Sequence, residues 1–596
     1  MEYKELAEIY QSLEDTSKRL EKTYLISELL KKTPSEDLKK IVLLLKGRVF
    51  PQWHQKKLGV ASRLVLKAIN IATGTSTNRI EQDWKKTGDL GLTAKKLIKN
   101  KTQSTLFFKP LSVNKVFKNI KALPKAKGHG AVDRKIKLIA ELLSSAKPIE
   151  AKYITRTVLE DLRVGVGEGS LRDAIVWSFF GDKLKIRYNK EENDFDISDE
   201  ERIEYNKYIN AVQEAYDMKN DFAEVAKIAK ENGLEGLKNV NLEVGKPIKV
   251  MLYQKAEDFE DAFETVGKPA ALEYKYDGFR LQIHKNKDDI QLFTRRLDNV
   301  TKQFPDVVKV IKNNINSKNF ILDAEIIGID PKTKRWLPFQ NISQRIKRKY
   351  NIHRMAKTIP VIINIFDAMQ INNKNLIKTP FSERRAELKK ITDQIPEKIE
   401  LAEQIITDSQ KNAEDFYKQS LGKGNEGIMV KALDKPYKPG SRVGYGVKVK
   451  PIMETLDLVI TGAEWGQGKR AEWLSSFTVS CIDQDGNFRE IGKVGTGIKE
   501  KEAEQNKDKN LEGATFKQLT NLLKPLIISE KGKCVKVKPK IVIEINYEEI
   551  QRSPTYSSGY ALRFPRLVKL RPEKPIEEVS TLEQIREYYQ TQKHRK

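Results

Sequence analysis

Cysteine is nearly absent. Cys481 and Cys534 are the two in a chain of 596 residues, which excludes a disulfide framework and a four-cysteine zinc module. Histidine is almost as scarce, and positions 54, 129, 284, 353 and 594 show none of the short spacings of a metal site. No apolar run approaches the length of a membrane-spanning helix, and Met1-Glu2-Tyr3-Lys4 does not open a signal peptide. The expectation is a cytoplasmic protein with no membrane partner. The phosphate-cradling pattern GxxxxGK[ST] is also missing, which argues against a P-loop hydrolase.

What is abundant is charge. The net charge of +27 points to a polyanionic partner, of which nucleic acid is the usual one. A chain of 596 residues is too long for one core, so three or four domains are expected. Residues 1–235 read as helical. KELAEIYQSLEDT, KLGVASRLVLKAINIATG, RKIKLIAELLSSA and ITRTVLEDL all carry apolar residues at three-and-four spacing, and Pro34, Pro51, Pro110, Pro124 and Pro148 mark helix ends. Residues 190–250 read as mostly charged helix. Residues 236–450 alternate β-rich runs with helices. Residues 451–596 carry short strands with Gly and Asp-Gly turns, the pattern of a small barrel, then the helix TLEQIREYYQ and the basic tail TQKHRK.

Within this frame a few stretches carry chemistry. ALEYKYDGFRLQIHK (271–285) reads as a half-buried strand, with Leu272, Tyr274 and Tyr276 on one face and Glu273, Lys275 and Asp277 on the other. Asp277-Gly278 makes the turn, and Arg280 and His284 follow on a return strand. Taken singly, a lysine between two carboxylates is an ordinary ion-pair ladder. NFILDAEIIGID puts Asp323 and Glu325 on one face, by default a solvated one, and PVIINIFDAMQIN makes Phe366 a core residue by default. RVGYGVKVKP puts Lys448 and Lys450 on one strand face. GKGNEGIMVKALD contains GxGxxG, but a helix precedes it and a β-run follows, the reverse of a dinucleotide fold. In LEDLRVGVGEGSLRDAI (159–175), Gly165, Gly167 and Gly169 alternate between Arg163 and Arg172, and Ser170 is placed to cap the next helix. That segment reads either as a helix connection or as a grip on phosphates.

Lys275-x-Asp277-Gly278, followed by Arg280, resembles the active-site motif of the covalent nucleotidyltransferases: DNA ligases, RNA ligases and mRNA capping enzymes. Residues 159–175, with KLGVASRLVLKAI and SSAKPIEAKYITRTVL, resemble the helical DNA-binding domain of archaeal-type ATP-dependent DNA ligases. ILDAE, LPFQNISQR, EGIMVK and RFPRLVKLR match further family elements in the family's order, so the resemblance covers essentially the whole chain. It implies an all-α DNA-binding domain (1–235), an α+β nucleotidyltransferase or adenylation domain (236–450) and a β-barrel OB-fold domain with a C-terminal helix (451–596).

The resemblance also implies roles. Lys275 attacks the α-phosphate of ATP, AMP passes to the 5′-phosphate at a nick, and the 3′-hydroxyl seals the strand, in DNA replication, repair and recombination. A lysine amine suits such a two-step transfer, although its ordinary pKa of about 10.4 must be overcome by burial, cationic neighbours or a metal. By the same likeness Glu273 reads the adenine amine, Phe366 stacks on the ring, and Arg280 and Glu325 hold the ribose. Arg295 binds near phosphate, and Arg442 and Lys448 contact the nucleotide. Mg2+ is implied, with Glu325 and Glu426 at the metal. Arg163, Gly165, Gly167 and Arg172 face DNA. The expected partner is nicked duplex DNA, engaged by a monomer; no clear docking motif for a sliding clamp stands out. An RNA-joining enzyme would share the lysine motif but not the 159–175 segment. A non-catalytic nucleic-acid clamp would not need Lys275 and its neighbours intact.

Overall fold

The computed structural model describes residues 1–596 except 102–109, 197, 338, 347, 349, 452–453, 467–469, 471, 501–513 and 593–596; most of the basic tail and Pro338 of LPFQ therefore lie outside the described residues. The chain forms two compact units. The first comprises Met1–Ala413 and Met429–Lys448, the second Glu414–Ile428 and Val449–Lys596.

The first unit begins with helices whose spacing dictates their packing. Helix Tyr3–Asp15 buries Tyr3, Leu6, Ala7, Tyr10 and Leu13, one apolar stripe. Pro34 precedes helix Ser35–Leu45 and Pro148 opens helix Pro148–Val158, positions where a missing N–H costs nothing. Helix Ser62–Thr73 starts five residues later than KLGVA suggests, and helix Pro148–Val158 ends before LEDL, where Glu160 turns left-handed at φ 56°.

The all-α expectation needs one correction. Strands β1 (Arg187–Asn189) and β2 (Asp194–Asp196) form a hairpin, with Tyr188 opposite Phe195. Aromatic contacts explain it. Phe195 meets the Trp177 ring edge-on at 5.2 Å, and Tyr188 stacks on Tyr24 at 5.0 Å.

A buried charge cluster ties the helices together. Arg156, 4% exposed, reaches Glu14 Oε2 at 2.6 Å and Asp89 Oδ2 at 2.6 Å, and Lys152 lies 2.9 Å from Glu14. Burial alone would raise the Glu14 carboxyl, but hydrogen bonds from Arg156, Lys152 and Tyr153 outweigh it and hold it at about 2.

Two sheets follow. One runs β10 (Lys374–Asn375), β9 (Val361–Ile371), β7 (Asn319–Ile329), β5 (Phe279–Asn286), β6 (Asp289–Thr294), with β11 (Ile399–Leu401) on β9 and β8 (Trp336–Leu337) on β7. The other runs β12 (Gln404–Thr407), β4 (Ala270–Lys275), β13 (Gly427–Ala432), β14 (Arg442–Val449), β3 (Leu252–Lys255). The β4 residues Ala270 to Tyr274 are all buried, so the expected half-buried strand is covered on both faces. The side chain at 273 is charged yet inside, which is possible because cations meet it there.

In the second unit, β15 (Leu456–Trp465) is the spine. Its first half pairs with β20 (Val542–Asn546) and its second with β19 (Cys534–Val537), while β16 (Leu474–Ile482) runs along the other edge. The register shifts between Ile460 and Gly462, where a side chain at 462 would press within 3.1 Å of the Val535 carbonyl. That bulge bends the sheet around Leu458, Ile460, Phe477, Val479 and Ile543. Helix Leu582–Thr591 lies where TLEQIREYYQ predicts it.

Glu14 gives an acid-side signature. Its folded value lies below the ordinary carboxyl range, so its contribution is complete above about pH 4.5 and disappears as pH falls toward 2. Glu14→Gln should lower the melting temperature at pH 7, and the gap to wild type should close between pH 4.5 and 2; a gap independent of pH would contradict this assignment.

Candidate functional site

β4 ends at Lys275, which is half-buried. Asp277-Gly278 then turns the chain into β5 against the backbone of β7. A Cβ at 278 would lie 2.3 Å from the Ile326 carbonyl and 3.1 Å from Glu325 Cγ, so only glycine lets the lysine turn approach the strand that carries Glu325. In register, Arg280 of β5 lies opposite Glu325 of β7.

Behind Lys275, Glu273 is 2% exposed. Lys431 Nζ lies 2.5 Å from its Oε2, Gln404 Nε2 donates to its Oε1 at 2.9 Å, and Arg385 approaches at 3.7 Å. A buried carboxylate needs such compensation, and Lys431 on the neighbouring strand provides most of it.

Phe366 is not the core residue its strand suggests. The ring is half-exposed and has two cations near it, Arg280 at 5.1 Å and Lys431 at 5.0 Å from its centroid. Its neighbour Asp367 points the other way and is 1% exposed, held in a two-pronged pair by Arg384 at 2.7 and 3.0 Å. Burial works to raise the Asp367 carboxyl, but the charge and hydrogen bonds of Arg384 prevail and lower it.

Asp323 and Glu325 share a face of β7 as expected, but neither lies on a solvated face. Asp323 is fully buried and paired with Arg280; Glu325 is half-buried. Tyr437, 1% exposed, donates its hydroxyl to Asp323 Oδ2 at 2.8 Å.

Glu273, Lys275, Arg280, Glu325 and Phe366 therefore occupy adjoining stretches of β4, β5, β7 and β9. Arg295 is exposed in the turn after β6, and Arg442 is exposed at the start of β14. Lys448 is half-buried near the end of β14, opposite Lys255. Glu426 belongs to the second unit, where Lys450 lies 2.8 Å from its Oε2 and also 3.6 Å from Glu548. Of the basic residues in RFPRLVKLR, Arg566 is exposed, whereas Arg563 pairs with Glu549 at 3.1 Å and Arg571 with Asp457 at 3.1 Å.

In the helical segment, the helix N-cap is Gly167, not Ser170, which is buried inside helix Glu168–Phe180. The serine lies three residues too late, and its side chain is buried on the helix's packed face. Gly165 takes a left-handed φ of 67°, and its preceding carbonyl, that of Val164, accepts from Lys22 Nζ at 2.6 Å. Arg163 is drawn to Asp161 at 2.7 Å and Asp89 at 3.4 Å, and Arg172 to Asp173 at 2.7 Å. Gly167 has open space where a side chain would stand.

The residues that sequence reasoning passed over are Tyr437, Arg384 and Gln404. Arg384 had a signal: it shares the helical stripe of Phe381, Leu388 and Ile391, all buried, so an arginine there must find a carboxylate inside. Tyr437 lies in an irregular loop and had none.

Comparison with known proteins adds the family. Residues 250–450 match the ATP dependent DNA ligase domain, 2–176 the DNA ligase N terminus and 470–574 the ATP dependent DNA ligase C terminal region. The DNA ligase of Nanoarchaeum equitans is 47% identical over 594 residues, covering 100% of this chain and 99% of that protein. The DNA ligase of Thermococcus onnurineus is 42% identical over 593 residues, covering 99% of this chain and 98% of that one. A solved structure described as Pmar-Lig_Pre. aligns with a TM-score of 0.54 at 18% identity, covering 95% of this chain and 98% of that chain, a likeness of fold. The chain belongs to the ATP-dependent DNA ligase family. It is a multidomain enzyme with an N-terminal helical region, a central adenylation domain and a C-terminal sheet domain. Among the described residues no helix is long and apolar enough to cross a membrane.

The Glu273–Lys431 pair yields a stability test. Lys431→Met leaves a buried carboxylate short of its main cation and should cost about 3 kcal/mol. Glu273→Gln combined with Lys431→Met should recover most of that loss in denaturant titrations; equal losses for single and double variants would mean the pair is not the cause.

Proposed function

We propose that the enzyme seals nicks in duplex DNA through a lysyl-AMP intermediate on Lys275. The observation that carries this reading is the half-buried Lys275 whose turn packs, through Gly278, directly on the strand bearing Glu325. The unprotonated Nζ forms a bond to the α-phosphorus of ATP as the bond to pyrophosphate breaks. AMP then transfers to the 5′-phosphate of the nick, and attack by the 3′-hydroxyl forms the phosphodiester and releases AMP. This splits one hard displacement into easier ones.

In this reading Glu273 accepts from the adenine amine with lone pairs not used by Lys431 and Gln404. The half-exposed ring of Phe366 offers a stacking face worth roughly 1 kcal/mol. Arg280 and Glu325 hold the ribose. Exposed Arg295 and Arg442, with Lys448, meet phosphate charge, which such cations stabilise as it builds. Mg2+ fits the acidic residues in one respect. Among the described residues no group of three or more His, Cys, Asp or Glu could hold a metal, but Mg2+ is commonly held by one or two carboxylates together with substrate phosphates. Glu325, half-buried on the strand that the lysine turn packs against, is a carboxylate of that kind. The same metal role is proposed for Glu426. The chemistry bound Mg2+ supplies is neutralisation of phosphate charge.

The proposed domain division is 1–235, 236–450 and 451–596, the first boundary lying near the helix break at Gly233 (φ 61°). The bent sheet around β15 supports an OB-fold barrel for the last domain. DNA contact by Arg163, Gly165, Gly167 and Arg172, monomeric action, a cytoplasmic location and service in replication, repair and recombination complete the proposal. Open space at Gly167 supports close backbone approach to phosphate.

Intact-mass measurement after mixing nucleotide-stripped protein with ATP and Mg2+ should show a gain of one AMP in wild type and none in Lys275→Ala. A persistent adduct in the variant would move the nucleophile elsewhere. Affinity for nicked duplex should fall steeply between about 50 and 200 mM salt, as counterion release requires; a flat titration would count against a phosphate-tracking interface.

A further inference from the structure

The hydroxyl of Tyr437 is a three-way junction. It donates to Asp323 Oδ2 at 2.8 Å, and accepts from Arg280 Nη2 at 3.0 Å and from the Met251 N–H at 3.2 Å. A phenol oxygen has one proton and two lone pairs, so its capacity is fully used. Burial pushes its titration well above the ordinary range, so the proton stays on and is donated. Its main chain is anchored too: the Tyr437 backbone N–H donates to the Ile377 carbonyl at 2.8 Å, and Arg384 lies 5.9 Å from the ring centroid.

Arg280 is held as firmly. Nη1 donates to the Met251 carbonyl at 2.9 Å and Nη2 to Asp323 and Tyr437. Two buried polar atoms of this cluster have no hydrogen-bond partner among the described residues: Arg280 Nε, a donor, and Asp323 Oδ1, an acceptor. Leaving one of each unsatisfied is costly, and the cost is recovered when a ligand supplies the complementary pair. The vicinal hydroxyls of a ribose are such a pair, since each both donates and accepts.

We propose that Tyr437 is a positioning residue for nucleotide binding: its hydroxyl fixes Arg280 and Asp323 so that Arg280 Nε and Asp323 Oδ1 meet the ribose hydroxyls of ATP. This rests on the reading of Arg280 as a ribose contact. Tyr437 touches neither the nucleotide nor the reacting phosphorus. It acts through the two side chains it orients.

The test compares Tyr437→Phe with wild type, full-length and stripped of bound nucleotide, in the self-adenylation step with no DNA present. The donors are ATP, 2′-deoxyATP and 3′-deoxyATP. Tyr437→Phe should raise the ATP concentration that half-saturates the single-turnover rate about tenfold, the size of one lost hydrogen bond to a charged group, with the maximal adenylation rate within about twofold. With at least one deoxy donor the penalty should shrink below about twofold, because the hydroxyl being positioned is gone. Equal penalties for all three donors, or a loss confined to the maximal adenylation rate, would overturn the inference and leave Tyr437 a packing residue. If Tyr437→Phe does not fold, Asp323→Asn, which keeps the shape, should show the same donor pattern. Arg280→Ala separates the two levels. If its penalty is also blind to the sugar, the ribose reading of Arg280 fails; if Arg280→Ala is sugar-sensitive and Tyr437→Phe is not, only the role of Tyr437 falls.

Discussion

A carboxylate taken out of water must be met by a cation, and the central sheets meet that demand three times over. Glu273 on β4, Asp323 on β7 and Asp367 on β9 are each 2% exposed or less. Lys431, Arg280 and Arg384 answer them one for one. None of these pairs is a surface ornament that salt would screen; removing a partner strands a buried charge. Glu273 and Lys431 pair across the neighbouring strands β4 and β13 of one sheet, Asp323 and Arg280 across β7 and β5 of the other, and Asp367 on β9 is met from helix Phe381–Ile391 by Arg384. Lys275, Glu325 and Phe366, the less buried groups, occupy the positions between.

The same economy of charge runs through the helical region, with a different result. Arg156 is consumed inside by Glu14 and Asp89, and Arg163 is drawn partly into the same cluster. An arginine already paired releases fewer counterions on meeting a phosphate. In the proposed DNA contact the segment from 159 to 175 would therefore contribute shape as much as charge: it has a left-handed glycine, a helix start at Gly167 without a side-chain cap, and arginines paired with aspartates. The net charge of +27 is spread over many other lysines and arginines.

Much of this was legible in the chain itself. The lysine turn, the return strand with Arg280 and a strand carrying Glu325 follow from period-two alternation and an Asp-Gly turn; the pairing of the last two strands does not. The rejection of a dinucleotide loop at GKGNEG also follows from order alone, and helix Gln410–Gly422 followed by β13 agrees with it. What could not be read was burial. Alternation says which residues share a face, but not whether a second layer covers it, so Glu273 looked solvated and Phe366 looked buried. Nor does periodicity reach irregular segments: the partners of Tyr437 come from two strands, β5 and β7, and from irregular stretches at Met251 and Ile377, all distant in sequence. The hairpin at Arg187–Asp196 was missed because its strands are three residues each and its stability comes from Trp177 and Tyr24, far away in the chain.

The missing side chain at Gly278 has a consequence for how the lysine can be re-engineered. With the β7 carbonyl filling the place where a Cβ would stand, the turn and the acidic strand are in backbone contact and cannot close further. In the proposed reaction the reach from strand to phosphorus is spanned by the four methylenes of Lys275. A shorter amine at that position would fall short by its own deficit in length, and the turn cannot move closer to the acidic strand to compensate; chemical repair would have to restore length as well as basicity.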